Sequence, residues 1–306
     1  MSKSVRIIKI PVLYCFYRLK RGVIMSEKIH IERNTVQETL VIPLLARKIC
    51  TEAFGDFFKD EKAVELINRL DYDFGDMKKH TESFVERFAA LEVATRQKAC
   101  ALEIKNYLKA HPCAAVVNLG CGLDQTAESC DNGKCKIYNV DFADTIEIRE
   151  QLIKKGERVT NVASDLKDLA WFDKIDGSEG AVFFGTGVFY YFTKDEIKKI
   201  FNGMAKHFPG GILIFDITGK TAANTAVKGW IKKAGIDGKF DIFYVGDVEK
   251  DINSWLKNAK ATYRKYMTGY FDLKEKSISG IYRFVAKLAD NLMKMKIIKI
   301  EFLQQK

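Results

Sequence analysis

Two groups of residues have types and spacing suited to ligand chemistry. Residues 116–126 read VVNLGCGLDQT, an apolar run that ends in Asn118 and gives Gly120-Cys121-Gly122 before Asp124. Glycines at the end of a buried strand let the backbone approach a ligand where a Cβ would intrude. Asp141 follows Gly120 by 21 residues, at the end of a second apolar run, KIYNVD. An acidic side chain there accepts both hydroxyls of a ribose. The dinucleotide fingerprint G-x-G-x-x-G needs a third glycine for helix packing at the pyrophosphate. Gln125 occupies that place, which disfavours a nicotinamide dehydrogenase. The plain readings stay open: a tight strand-to-helix turn with no ligand for the glycine pair, and a loop or cap residue for Asp141.

The elements that must position these residues follow from periodicity. Thr35 with Glu38 fits a capping box before LVIPLLARKICTEAFGDFF, and Pro43 falls in the opening turns. KAVELINRL places Ala63, Val64, Ile67 and Leu70 on one helical face, and residues 84–110 read as a further helix stopped by Pro112. Short unbroken apolar runs then alternate with helices: 114–119, 136–141, 158–164, 180–185 and 211–217. Such runs are buried on both faces of a parallel sheet. Asp144 precedes one helix, and Thr193 with Glu196 forms a capping box for another, which Pro209-Gly210-Gly211 stops. KFDIFYV (239–245) and MKIIKIEFL (295–303) supply two later strands, completing seven. The expected fold is a doubly wound, mostly parallel α/β sheet.

Composition narrows the function class. The 306 residues are 47% hydrophobic, enough for one large domain with an appended lid. The net charge of +10 is scattered, without the basic blocks of a nucleic-acid patch, so no nucleic-acid partner is expected. Seven cysteines form no CxxC pair and suit reduced cytosolic thiols; with four histidines, no metal site is expected. Lys9 interrupts the apolar stretch of residues 1–24, and RLKR follows where a signal-peptidase site would need small residues. The stretch is also too short for a membrane span. Residues 1–24 read as an extension from a mis-assigned start, with Met25 opening the domain, and the expected location is the cytoplasm.

The stretches VQETLVIPLLAR (36–47), VVNLGCGLDQT, YNVDFAD (138–144), ASDL (163–166), GTGVFYYFTKDEI (185–197) and FPGGILIFD (208–216) occur in order. Together they resemble the successive motifs of the leucine carboxyl methyltransferase superfamily, in particular its bacterial branch of polyketide O-methyltransferases. The resemblance implies a Rossmann-like class I methyltransferase domain over residues 25–306: a helical cap (31–112), a cofactor-binding core (113–218), and a lid with the final strands (219–306). It also implies S-adenosyl-L-methionine as cofactor, which has no pyrophosphate and so needs no third glycine. Gly120, Cys121 and Gly122 would border its methionine half and ribose, with Asp124 as the family's aspartate after the glycine pair. Asp141 would take the ribose hydroxyls; Ser164, Asp165 and the Leu166 backbone would read the adenine. Arg96, in ATRQKACALEI, would pair with the methionine carboxylate through its planar fork.

One departure stands out. The family's EGxxxY block reads Thr186-Gly187-Val188-Phe189-Tyr190-Tyr191 here, so a hydroxyl replaces a carboxylate beside the cofactor's amino group. Asn118 stands where many methyltransferases carry an acid. The implied reaction is displacement of a sulfonium methyl by an oxygen of a small molecule, polyketide-like or another secondary metabolite. A carboxylate acceptor is already ionised at neutral pH, whereas a phenol needs a base. No base stands out, His80 and His207 being ordinary surface candidates. Tyr191 aligns with the family tyrosine and would orient the acceptor, with Trp230, Trp255, Tyr263, Tyr266 and Tyr270 of the lid walling an apolar pocket around a ring-containing acceptor. The contrasting expectation is a degenerate ligand-binding protein on the same fold, weakened at Thr186.

Overall fold

A computed structural model describes residues 28–31, 38–74, 83–223 and 243–304. Thr35, His80, Trp230 and residues 1–24 lie outside them, so the first capping box and the N-terminal extension are not among the described features. Two short strands, β1 (Ile29–His30) and β2 (Leu70–Asp71), pair in parallel. Three helices precede the main sheet: α1 (Glu38–Ala53), α2 (Glu61–Asn68) and α3 (Phe84–Ala110). Pro43 is accommodated inside α1. The Asp60 side chain caps α2 by accepting the Ala63 amide, and Ser83 caps α3 by accepting that of Glu86.

The main sheet is built from β3 (Ala115–Leu119), β4 (Lys136–Asp141), β5 (Val159–Ala163), β6 (Ala181–Gly185), β7 (Ile212–Ile217), β8 (Ala259–Lys265) and β9 (Lys296–Phe302). Its order is β5-β4-β3-β6-β7-β9-β8, with β9 antiparallel to both neighbours. The strand order reverses between β3 and β6, so the switch point lies beside the end of β3. Ligands of such sheets bind there, beyond the carboxyl ends of the strands. Helices α4 (Thr126–Ser129), α5 (Ala143–Leu152), α6 (Lys194–His207) and α7 (Gly280–Leu292) complete the fold.

Both faces of the sheet are covered. Val116, Val182, Ile214 and Ile297 point into a core shared with α1, α2, α3, α5 and α7, whereas Val117, Phe183, Phe215 and Ile298 meet α6 and the helical turn at 169–174. The helices ahead of β3 are thus one layer of the sandwich. Tyr107, near the end of α3, donates to the Gly210 carbonyl and accepts the Ala181 amide where β7 and β6 begin. Arg96, eleven residues earlier, meets Asp216 towards the other end of β7. Helix α3 therefore runs antiparallel to the parallel strands, and its N-terminal third extends past their carboxyl ends.

Two local expectations need correction. The outer seventh strand is AKATYRK of β8, which falls within the expected lid, and residues 243–245 of KFDIFYV carry no strand. Asp144 does not cap α5; the helix begins at Ala143, and the Asp141 carboxylate accepts the Phe142 amide instead. The Thr193–Glu196 capping box is present, each side chain accepting the other residue's amide.

Candidate active site

The glycine loop and Asp141 form one unit. Gly120 and Gly122 have φ of +61° and +47°, the left-handed region that glycine enters at low cost. A Cβ on Gly120 would stand 2.6 Å from Val188 Cγ2, and one on Gly122 would stand 3.1 Å from Leu40 Cδ2. The glycines therefore also admit close packing by the turn after β6 and by α1. The Asp141 Oδ2 accepts the Gly122 amide at 2.8 Å, and Oδ1 accepts the Phe142 amide at 2.8 Å. Burial pushes the Asp141 carboxyl above the usual range, opposed by these two amides. A carboxylate has about four lone-pair directions, so both oxygens keep capacity for hydroxyl donors.

Cys121, between the glycines, is buried, its amide bonded to the Val140 carbonyl, and burial raises its thiol well above the ordinary value. It is a small packed side chain and not a nucleophile. Asp124 turns inward: Oδ1 accepts Gln97 Nε2 at 2.9 Å, the Thr126 amide at 3.0 Å and the Thr126 hydroxyl at 2.8 Å. Arg47, from α1, stands 3.5 Å from that oxygen, bonds Asp60 at 2.9 Å and donates to the Leu123 carbonyl at 3.1 Å. Asp124 thus ties α1 and α3 to the loop. Asn118 is buried within β3, in register with Asn139 and Phe184. It is the last residue but one of β3, just before the glycine loop.

The second unit lies at the ends of β6 and β7. Asp216, only 2% exposed, accepts Arg96 Nη1 at 3.2 Å, the Gly187 amide at 2.6 Å and the Tyr190 hydroxyl at 3.3 Å. Gly187 has φ of +73°, and a Cβ there would meet Arg96 Nη1 at 3.2 Å, so glycine keeps the guanidinium's place open. Burial opposes the charge on Arg96, but Asp216 with Tyr266 and Tyr190 together outweigh it and hold the guanidinium protonated. Tyr190, half-buried, has its hydroxyl pushed well above its ordinary value by burial of that end and by Asp216. Thr186, beside Gly187, is partly exposed, and its hydroxyl makes no hydrogen bond among the described residues. Tyr191 is 45% exposed at the rim.

The third unit follows β5. The Ser164 amide bonds the Asp141 carbonyl at 2.8 Å, which sets this loop against Asp141. Asp165 is exposed and closes a turn on the Lys167 amide at 2.9 Å, while Leu166 is buried and its carbonyl accepts Trp171 Nε1 at 3.2 Å. All three units stand at the carboxyl edge of the sheet. His207 does not: it flanks the opposite edge, with Gly180 and Gly210, and lies 3.9 Å from Asp173. Among the described residues no cluster of His, Cys, Asp or Glu suits a metal ion.

Of the expected pocket aromatics among the described residues, only Tyr266 reaches this region, its hydroxyl donating to the Glu92 carbonyl at 3.1 Å. Trp255 packs on Phe201 on the far face, Tyr270 bonds Glu103 at 3.0 Å, and Tyr263 is exposed on β8. Trp230 lies outside the described residues. Sequence reasoning gave Asp216 no role, although a charged residue closing the apolar run GILIF was a usable signal.

The order of these units along the chain is decisive when compared with known proteins, because residues 37–205 match the leucine carboxyl methyltransferase family. The chain belongs to that family. Its match to this family spans α1, the glycine loop, Asp141 and the Thr186 turn. A similar protein is the tetracenomycin polyketide synthesis O-methyltransferase TcmP of Streptomyces glaucescens, 26% identical over 183 residues. The alignment spans 59% of this chain and 65% of that protein, less than two thirds of the relative's length. Among solved structures, a duf574 family protein from Streptomyces avermitilis is similar in fold, with a TM-score of 0.53 at 12% identity. That superposition covers 84% of this chain and 96% of the other.

Proposed function

We propose that this protein is an S-adenosyl-L-methionine-dependent O-methyltransferase acting on a small molecule. The observation that carries the reading is the Asp141 carboxylate locked to the glycine loop at the sheet's switch point, with Arg96 of α3 held by Asp216 of β7. The residues fit the cofactor: a ribose needs a paired acceptor, which Asp141 supplies, and an amino acid moiety needs a cation, which Arg96 supplies. Gly120, Cys121 and Gly122 form the floor; Ser164, Asp165 and Leu166 border the adenine. S-adenosyl-L-methionine supplies a methyl group on a positively charged sulfur. The protein's part is to align an acceptor oxygen with that methyl, to exclude water, and to accept a proton where the acceptor carries one.

Thr186 lacks the family's charge, but Asp216 contacts the next residue's amide and is fully buried. Asp216 gives the site the anionic character that Thr186 cannot. This favours a working cofactor site over the degenerate binding protein. The relative's polyketide chemistry points to a polyketide-like or other secondary-metabolite acceptor, methylated on a carboxylate or a phenolic oxygen. Tyr191, at the rim, is placed to meet the acceptor. A cytoplasmic protein accords with the reduced cysteines, and among the described residues no helix is long and apolar enough to cross a membrane. Titration calorimetry with S-adenosylhomocysteine tests the reading: binding that Asp141→Ala abolishes is expected, and equal binding by both proteins would overturn it.

A further inference from the structure

Exposed apolar side chains gather on one helix. Residues 266–295 leave the sheet after β8 and return at β9, where Lys265 and Ile217, the last residues of β8 and β7, flank Lys296. This excursion therefore stands at the carboxyl edge, as Asp141 and Arg96 do. Within it, α7 buries Ala286, Ala289 and Asp290. Ile281, Phe284, Leu288 and Leu292 follow one another at three, four and four residues, which sets them in a stripe about 16 Å long on the opposite face. The stripe is exposed, Phe284 to 66% and Leu292 to 70%. Phe84 and Val85, exposed in the first turn of α3, extend it, for the Phe84 ring stacks on Tyr282 at 4.6 Å. Single exposed apolar residues are ordinary, but a continuous patch marks an interaction site.

The exposed charges beside this stripe are basic. Lys287 lies next to its middle and Lys294 just past its end. Lys265 donates to Asn291 Oδ1 at 2.9 Å, and Lys220 follows Gly219, whose amide bonds the Met293 carbonyl at 3.0 Å. The acid of α7, Asp290, turns inward to accept the Met267 amide and the amide and hydroxyl of Thr268. At the α3 end, Glu86 stands beside Arg87. A second copy of the chain fits this face poorly. Across a two-fold axis an antiparallel helix pair sets each flank against itself, so the Lys287 flank would meet its own like charge. A convex stripe of aliphatic and aromatic side chains with lysines along it suits hydrocarbon beneath anionic head groups.

We infer that α7 and the first turn of α3 form a docking face for an anionic lipid surface. Ile281, Phe284, Leu288 and Leu292 enter the outer hydrocarbon, and the lysine ammonium groups stay level with the phosphates. Because α7 stands at the carboxyl edge, docking brings the candidate site to the layer into which apolar acceptors partition. The docking goes beyond the methyltransferase reading and does not depend on it.

The test is co-sedimentation of the full chain with vesicles of phosphatidylcholine alone and of phosphatidylcholine mixed in equal parts with phosphatidylglycerol. Binding to the mixed vesicles should be at least tenfold tighter than to the neutral ones and should weaken as salt is raised. The double variant Phe284→Ser, Leu288→Ser should lose at least tenfold in that binding, and so should Lys287→Glu, Lys294→Glu. Leu303→Ser, which alters an exposed apolar residue at the amino edge, should bind as the wild type does. The serine variant should unfold at the wild-type temperature, because the side chains it replaces are exposed, and sedimentation velocity without lipid should show a monomer. No binding to the mixed vesicles, equal binding to the neutral ones, or equal binding by the serine variant overturns the inference. A dimer that the serine variant dissociates also overturns it, since the face would then join two copies. A lowered unfolding midpoint of that variant does the same, since the face would then be covered by the chain itself.

Discussion

The Asp141 carboxylate accepts the Gly122 amide at 2.8 Å, so the residue proposed to hold a ribose also fixes the glycine loop. Binding and loop geometry are therefore coupled. Asp141→Ala should lower affinity for S-adenosylhomocysteine by at least tenfold, since charge-assisted hydrogen bonds are each worth about 1.5–3 kcal/mol. Calorimetry at neutral pH measures it.

The raised carboxyl of Asp141 has a consequence for stability. A group whose folded pKa exceeds its unfolded value favours folding below the unfolded pKa, and that contribution disappears as pH rises through the folded pKa. At pH 7 the ionised Asp141 thus costs the free protein stability. Asp141→Asn should leave the unfolding midpoint of the free protein at pH 7 unchanged or higher while weakening cofactor binding. Thermal unfolding with and without S-adenosylhomocysteine separates the two effects.

Arg96 and Asp216 form a pair in which one partner is 2% exposed. Removing Arg96 alone strands a buried charge, at a cost of about 3–5 kcal/mol. Arg96→Ala should show that loss in urea unfolding. The double variant Arg96→Ala, Asp216→Asn should recover most of the stability without recovering cofactor affinity, because in the proposed site Arg96 pairs with the methionine carboxylate.

Thr186→Glu places a second carboxylate beside the residue whose amide Asp216 accepts. If Asp216 already supplies the local negative charge, the added acid gains little and like charges oppose each other. Affinity for S-adenosyl-L-methionine should change by less than tenfold. A gain above a hundredfold would show that the native site is weakened.

Gly120→Ala forces a Cβ to 2.6 Å from Val188 Cγ2 on a backbone with φ of +61°. Overpacking and left-handed strain each cost about 1–3 kcal/mol. Val188→Ala added to it should recover the packing part and leave the strain, which urea unfolding of the three variants resolves.

The sheet was legible where strands are buried on both faces. The runs ending at Leu119, Asp141 and Gly185 are unbroken and apolar, and their boundaries agree with the structure to within a residue. AKATYRK was not, because an edge strand buries one residue of seven, Ala261, and carries no apolar run. The Gly120–Asp141 relationship was readable because a strand-to-strand spacing fixes it. The Arg96–Asp216 pair was not, because its partners are 120 residues apart and only the antiparallel course of α3 brings them together. Asp124 shows the opposite difficulty: its place after the glycines suggests a ligand contact, yet Gln97, Thr126 and Arg47 surround it.

The most direct measurement is thermal unfolding of the protein alone and with saturating S-adenosyl-L-methionine, S-adenosylhomocysteine or NAD. A ligand that binds only the folded state at a hundred times its Kd stabilises by about 2.7 kcal/mol, enough to raise the midpoint by a few degrees. The account predicts that rise with both adenosyl compounds, its loss in Asp141→Ala, and none with NAD. No rise with either adenosyl compound, or an equal rise with NAD, would contradict it.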